Sequence, residues 1–407
     1  MHQREIRSDA RTFAAEFEMN ILFVCNSDPQ KASYGGLQRT HALWLGLQSV
    51  GNVVTIVPVP HRSMEKRDDN AKIYHLYLEK RYSLGWFAQR LFKRFIPYWD
   101  CSWAYNQSRF RDEVSRLVKA GRWNAVVSRF IRPAAAFKLW ELGPLYVDAD
   151  DIHTFEFDLH TKVIGNSLAR ILQRVLLARF QFRIYGKARK IWVPASEHVP
   201  LLPDYPLSCL PNIPCPPLPD VADTLGESNR LLFIGLMSSD PNYLAIDDFL
   251  MRYWTVLRRR FHDIKLDIVG GGLPQRYVES WQKCDGVIYH GRVDDIRPFF
   301  EKAGAVLTPM IIGMGSCIKT LEALRMGRFL LSTRQGLRGI NANHCSSGNG
   351  IFEFHDDVSL IDQLDRIISY EPAHKHETQK RAVQFVKCFY SQSIFNQIIK
   401  DDIRDVE

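Results

Sequence analysis

Apolar residues in this chain fall into short continuous runs, separated by longer stretches where they recur at three- and four-residue spacing. The first run is MNILFVCN, 19–26. SDPQKASYGGLQRTHALWLGLQSVG follows it, a glycine-bearing loop leading into a helical pattern with Leu37, Leu43, Trp44 and Leu47 on one side. VVTIVPVP (53–60), WNAVVSRF (123–130), PLYVDADD (144–151) and KARKIWVPAS (187–196) are the next runs. Continuous apolar runs alternating with amphipathic stretches predict parallel strands covered on both faces by helices.

The pattern breaks between Pro203 and Asn229, where seven of the first seventeen residues are proline. Neither a helix nor a central strand persists through such a stretch, so it reads as an inter-domain connection. Then the alternation restarts with RLLFIGLM (230–237), IKLDIVGGG (264–272), GVIYHG (286–291), AVLTPM (305–310) and FLLST (329–333). Helical segments YLAIDDFLMRYWTVLRRRF, DDIRPFFEKAG and CIKTLEALRMG separate them, and one last helix, KHETQKRAVQFVKCFYSQSIFNQIIKDDI, closes the chain. The expected architecture is α/β: two doubly wound, Rossmann-like domains facing a central cleft. Its divisions are a tail at 1–18, a first domain at 19–205, the connection at 206–229, a second domain at 230–375 and a C-terminal helix at 376–407.

Size and composition agree. A chain of 407 residues exceeds what one core usually holds, and 46% apolar with 24% charged residues is a globular profile. A net charge of +8 favours an anionic partner: a phosphorylated small molecule, a lipid surface or nucleic acid. Cys25, Cys101, Cys209, Cys215, Cys284, Cys317, Cys345 and Cys388 are scattered, without a C-x-x-C or metal-like pairing with histidine, which fits reduced thiols in a cytoplasmic protein. No run approaches the length of a membrane span. The polar, acid-bearing 1–18 segment makes a poor signal peptide, and Met19 opens the first strand, so the tail is dispensable or reflects an upstream start.

The richest chemistry lies in GMGSCIKTLEALRMG, 313–327, after the AVLTPMII run. Gly313 and Gly315 sit where the backbone turns and can approach a ligand closely. A helix starting near Ser316 or Cys317 leaves amides unpaired, and these with the helix dipole favour a phosphate. Lys319 adds a point charge, and Glu322 can accept from a sugar diol. The alternative is a structural turn with a solvated lysine and glutamate. VDADDIHT, 147–154, brings Asp148, Asp150, Asp151 and His153 to a strand end, where carboxylates orient an acceptor hydroxyl, accept its proton or stabilise positive charge. We assign the chemistry to Asp148 and Asp151. The same D-x-D spacing suits a magnesium or manganese ion, and a third reading is turn and capping aspartates. IVGGGLP lacks the G-x-G-x-x-G of a dinucleotide fold and argues against a dehydrogenase.

Two segments interleave basic and apolar residues. Residues 80–103 mix Arg81, Arg90, Lys93 and Arg94 with Trp86, Phe87, Phe92, Phe95, Tyr98 and Trp99; ARILQRVLLARFQFRIYGKARK, 169–190, is a second basic helix. Both suit an anionic membrane surface, the alternative being core aromatics under a solvated basic face. No nucleic-acid motif accompanies them, and no nucleic-acid partner is expected.

FIGLMSSDPNYLAI, LDIVGGG, VIYHGRVDDIRPFFEKAGAVLTPM and GMGSCIKTLEALRMGRFLLSTRQGLRGI together resemble glycosyltransferase family 4, the group-1 transferases of the GT-B fold. NILFVCN with YGGLQR resembles that family's first strand and double-glycine loop. The resemblance implies retaining transfer of a sugar from a nucleotide diphosphate sugar to a carbohydrate or lipid-linked acceptor. It implies that Glu322 holds the ribose hydroxyls and that the amides of Gly315, Ser316, Cys317 and Ile318 hold the diphosphate. Gly35 and Gly36 would approach from across the cleft, with the nucleobase beside Gly291, Arg292 and Val293. It implies no metal and no cofactor beyond the donor. Two positions depart from the pattern. Met314 stands where many members have a glutamate contacting the sugar, and SSDPN follows FIGLM without the usual arginine and lysine, leaving Lys319 or Arg292 to compensate. A catalytically silent, nucleotide-sugar-binding scaffold and an epimerase of the nucleotide sugar are the other readings. The setting implied is the inner face of a bacterial membrane, in surface-polysaccharide or glycolipid assembly.

Overall fold

Strand formation follows the apolar runs closely. The computed structural model describes residues 19–31, 35–59, 62–77, 107–117, 123–164, 167–214, 224–313 and 315–404. The 1–18 tail, the 80–103 segment and Met314 lie outside these residues. The first domain contains β1 (Met19–Val24), β2 (Gly51–Val59), β3 (Lys66–Asp68), β4 (Ile73–Tyr77), β5 (Ala125–Arg129), β6 (Leu145–Asp148), β7 (Ala188–Val193) and β8 (Leu207–Cys209). They form one sheet in the order β3-β4-β2-β1-β5-β6-β7-β8, parallel except for the β3–β4 pair. The second domain contains β9 (Glu227–Ile234), β10 (Lys265–Val269), β11 (Val287–Gly291), β12 (Ala303–Thr308), β13 (Phe329–Ser332) and β14 (Ile351–Glu353), in the parallel order β11-β10-β9-β12-β13-β14.

Each sheet reverses its direction of growth once, between β1 and β5 in the first and between β9 and β12 in the second. A crevice opens beyond the carboxyl ends at such a switch, and it is where α/β sheets bind ligands. Helix α1 (Gly35–Gln48) follows β1. The helices α2 (His153–Ile164) and α3 (Leu168–Tyr185) stand between β6 and β7, and α4 (Ile318–Arg325) follows β12. The glycine-led segments of both domains are therefore placed at switch points.

Three features differ from the sequence pattern. Leu207–Cys209, inside the proline-rich stretch, pairs with β7 as an edge strand. An edge tolerates flanking prolines because only one side of the strand needs its ladder. The strands β3, β4 and β14 were not expected, being short or half polar. Finally, the single closing helix is two: α5 (Pro372–Phe389) and α6 (Gln392–Arg404). Helical geometry ends at Tyr390, at φ −133 and ψ 42, where the Asn341 amide donates to the buried tyrosine's hydroxyl at 3.3 Å. Tertiary packing overrides a pattern that would otherwise run on.

The break lets α6 return to the first domain. Phe395, Ile399 and Ile403 are buried in one cluster with Ala42, Leu43 and Leu47 of α1. A Cβ on Gly46 would lie 2.5 Å from Ile399 Cδ1, so the glycine permits the close crossing of α1 and α6. Trp192, fully buried in β7, donates its indole N–H to Asp402 at 2.6 Å, and Gln392 donates to the Ala42 carbonyl at 3.0 Å.

Candidate functional site

The first wall of the cleft is built on Arg39 of α1 and the ends of β5 and β6. Arg39 is almost fully buried and turns into the domain. Its Nε donates to Asp148 Oδ1 at 3.0 Å and its Nη2 to the same oxygen at 2.5 Å, while Nη1 donates to the Leu210 carbonyl at 2.9 Å and to Asn212 Oδ1 at 2.8 Å. Arg129, opposite Asp148 in the β5–β6 register, donates from Nη1 to Asp148 Oδ2 at 2.8 Å and from Nη2 to Asp150 at 2.7 Å. Burial pushes the Asp150 carboxyl up, but Arg129 and then Arg39 outweigh it and hold the group below its ordinary value. The residue after Arg129 is Phe130, at φ 71 and ψ 163, a backbone conformation that costs a side-chain-bearing residue about 1–3 kcal/mol. Its ring lies 4.0 Å from the Arg129 guanidinium.

This geometry corrects the assignment of Asp148. It has no exposed surface, and two arginines use its oxygens, so it cannot meet an acceptor. It is a positioning residue for the strand ends. The D-x-D metal alternative meets the same obstacle, since guanidinium groups take the carboxylates that would ligate. Among the described residues no group of three or more His, Cys, Asp or Glu is placed to hold a metal. Asp151 is different. A Cβ on Gly315 would lie 2.8 Å from its Oδ1 and 3.0 Å from the Asp150 carbonyl, so the aspartate loop abuts the glycine loop of the other domain. Gly315, at φ 63, meets two demands that exclude a side chain.

The second wall is the joint between β12 and α4. The Asn212 side-chain amide donates to Ser316 Oγ at 2.7 Å, extending the Arg39 network across the cleft. The Cys317 N–H donates to the Arg338 carbonyl at 3.1 Å, which corrects its expected role as an anion donor: that amide is already used. Helix α4 starts at Ile318, with Cys317 before it as cap. Gly313, at φ 142, lies under a guanidinium; a Cβ there would come within 2.5 Å of Arg338 Nη2. Arg338 Nη1 donates to the Gln335 carbonyl at 2.7 Å, and Gln335 donates to the Gly313 carbonyl at 2.7 Å.

Lys319 and Glu322 project from the first turns of α4. The lysine Nζ donates to Asn242 Oδ1 at 2.5 Å and stands 4.6 Å from the centre of the Phe233 ring. Gly235 makes room for both partners: its Cβ would lie 2.9 Å from the Asn242 amide and 3.1 Å from Lys319 Nζ. Burial lowers the lysine's pKa. Glu322 Oε1 accepts from Gln38 Nε2 at 2.9 Å, across the cleft from α1. Burial raises the glutamate's pKa, with Gln38 and Lys319 pulling it back. A further tie joins the domains where the Gly339 amide donates to Glu197 at 3.1 Å.

The structure therefore brings Gly313, Gly315, Ser316, Lys319, Glu322 and Asp151 to one cleft. Gly35 and Gly36 open α1, one turn before Gln38. Arg292 is exposed beside Gly271, whose Cβ would lie 3.2 Å from that of Arg292, and Val293 follows it on the loop after β11. Sequence reasoning missed Gln38, Arg39, Arg129, Asn212, Asn242 and Arg338. Some signal existed: Gln38 and Arg39 follow the double glycine, and Arg338 stands between Gly336 and Gly339.

Comparison with known proteins bears on the fold that carries this cleft. Residues 228–369 match the family model described as "Glycosyl transferases group 1". A Klebsiella pneumoniae relative, "Uncharacterized 44.6 kDa protein in cps region", is 24% identical over 183 residues, 42% of this chain and 46% of the relative, so the match spans about half of that protein. Sucrose-phosphate synthase from Thermosynechococcus elongatus superposes with a TM-score of 0.65 at 11% identity, covering 96% of this chain and 99% of that one. HepE from Anabaena, solved in complex with UDP and glucose, superposes at 0.60 with 12% identity, covering 96% and 100%. The fold is GT-B, and residues 228–369, within its second domain, are similar to the group 1 glycosyltransferases.

Proposed function

We propose that this protein is a retaining glycosyltransferase that moves a sugar from a nucleotide diphosphate sugar to a hydroxyl acceptor. The observation that carries the reading is Glu322: a half-buried carboxylate at a switch point, beside Lys319 and turned toward the opposite domain. A carboxylate so placed accepts both hydroxyls of a ribose. Lys319 and Arg338 flank the glycine loop and offset the charge that builds on a diphosphate as the sugar leaves. Asp151 orients the acceptor hydroxyl from the first domain, and the leaving phosphate takes the acceptor's proton on the same face of the sugar. UDP is the first nucleotide to test, since HepE was solved with it.

The test is calorimetric titration of UDP, GDP, ADP and TDP into the wild type and Glu322→Ala. Loss of a charged hydrogen-bonding partner should cost roughly 1.5–3 kcal/mol, about ten- to a hundredfold in affinity. Binding that the substitution leaves unchanged would sink the role given to Glu322. A second reading, a binding scaffold without transfer, gains support from Asp148, which is withdrawn from chemistry into the buried network. Tight nucleotide binding without turnover of any sugar nucleotide, with or without acceptors, would favour it.

The setting we propose is a membrane face, in surface-polysaccharide or glycolipid assembly; the relative in a cps region supports this. Leu168, Ile171, Leu172 and Val175 share one side of α3 and are 86%, 49%, 53% and 47% exposed. Exposed Arg179 and Arg183 continue the same side, a combination suited to anionic lipid. The helix is not long and apolar enough to cross a membrane. Co-sedimentation with phosphatidylglycerol vesicles should be lost in Leu168→Ser/Leu172→Ser; equal sedimentation of the variant would remove α3 from the interface.

A further inference from the structure

Helix α1 does two things within one turn. Arg39 is fixed by Asp148, the Leu210 carbonyl and Asn212, so the helix cannot rotate without breaking a buried network. Its neighbour Gln38 is thereby held at a set distance from the other domain, and its amide donates to Glu322 at 2.9 Å. Glu322 is the carboxylate to which the proposed function gives the ribose diol. Gln38 occupies an acceptor position on Oε1, one of the two oxygens that a diol spanning the carboxylate would use. We infer that Gln38 is the residue a ribose must displace, a specificity element that screens donors by their ability to outbid a neutral amide for Glu322.

The chemistry supports an exchange rather than a permanent bond. Gln38 offers one neutral amide to a carboxylate, whereas Asp148 is held by two guanidinium groups. A bidentate arginine–carboxylate pair such as Arg39–Asp148 is stronger than a single bond from a neutral amide. A ribose diol presents two adjacent O–H donors to the two carboxylate oxygens, and a sugar lacking one of them presents a single donor that merely matches the amide it replaces. The Gln38 side chain turns on three rotatable bonds and is half-buried, so it can swing away while Arg39 keeps the helix in place. Among the described residues the cleft is also tied at Asn212–Ser316 and Glu197–Gly339, and these ties do not involve Glu322. Displacing Gln38 therefore frees the carboxylate without undoing the closure of the domains.

This inference rests on the donor-site reading of Glu322, and its test separates the two. Affinities of UDP and of 2′,3′-dideoxy-UDP are measured calorimetrically for the wild type, Gln38→Ala, Gln38→Met, Glu322→Ala and the Gln38→Ala/Glu322→Ala pair. Gln38→Met keeps the side chain's length and guards against loss of packing. The expected result is UDP binding tightened about three- to tenfold by either Gln38 substitution, with no gain for the dideoxy nucleotide and none in the Glu322→Ala background. UDP binding weakened or unchanged by both Gln38 substitutions, while Glu322→Ala still weakens it, overturns the role of Gln38 and leaves the donor site standing. UDP binding indifferent to Glu322→Ala, or absent throughout, overturns the donor site and this inference with it.

Discussion

The first wall of the cleft buries most of its charge, the second leaves its charge half-buried, and the two treat it in opposite ways. In the first domain Arg39, Arg129, Asp148 and Asp150 meet one another, cation against carboxylate, and Asp150 is held in its charged form. In the second, Lys319 and Glu322 are given neutral amides, Asn242 and Gln38, and burial moves both toward their neutral forms. Charge satisfied within the protein holds strand ends in place and has nothing left for a ligand. Charge met only by amides costs stability, and that cost is recoverable when a diphosphate and a ribose arrive. Perturbed groups of the second kind mark sites more reliably than paired ones. Hence Asp148, one of the two aspartates assigned the chemistry from the sequence, belongs to the scaffold.

The contrast can be broken most forcefully at Arg39. Arg39→Met leaves Asp148 and Asp150 buried with one guanidinium between them, and removing one partner of a buried pair costs about 3–5 kcal/mol. Urea unfolding measures this; a loss below about 1 kcal/mol would mean the network is not holding the domain. A smaller effect is expected at Asp150. Its lowered pKa contributes stability that is present above the ordinary aspartate range and disappears as pH falls through the lowered value. Asp150→Asn should therefore be less stable than the wild type at pH 7, by roughly 1.5–3 kcal/mol, with the gap closing on acidification. A gap that stays constant with pH would place the effect in packing. The smallest effect, opposite in sign, is expected at Glu322. Its raised pKa makes ionisation in the folded state unfavourable, so stability falls as pH rises above the ordinary glutamate value. Glu322→Gln should melt about 1–2 °C higher than the wild type at pH 7 and equally at pH 4. A variant that melts lower at pH 7 would show that Glu322 is paid for by its surroundings after all.

Much of the fold was readable because buried parallel strands are continuously apolar, and β1, β5, β9, β10, β12 and β13 announce themselves that way. The glycine loops and the pair Lys319 and Glu322 were readable for a related reason: they sit just past those strands, where turn geometry and anion chemistry coincide. Arg39 and Arg129 were not. One arginine in an amphipathic helix and one at a strand end read as solvated, and only the β5–β6 register sets Arg129 opposite Asp148. Asn212 was hidden in a stretch read for its prolines. The break at Tyr390 depends on Asn341, far away in sequence, and no local pattern announces such a partner.

The return of α6 to the first domain has a consequence during synthesis. A ribosome delivers residues 19–214 long before residues 392–404, yet Phe395, Ile399 and Ile403 complete the surface that α1 presents. The amino-terminal half therefore waits, with an uncovered apolar stripe around Gly46, until the last helix has left the exit tunnel. Any shuffling of halves between relatives inherits the same dependence: a transplanted first domain must bring its own final helix, or one whose side chains fit against that glycine.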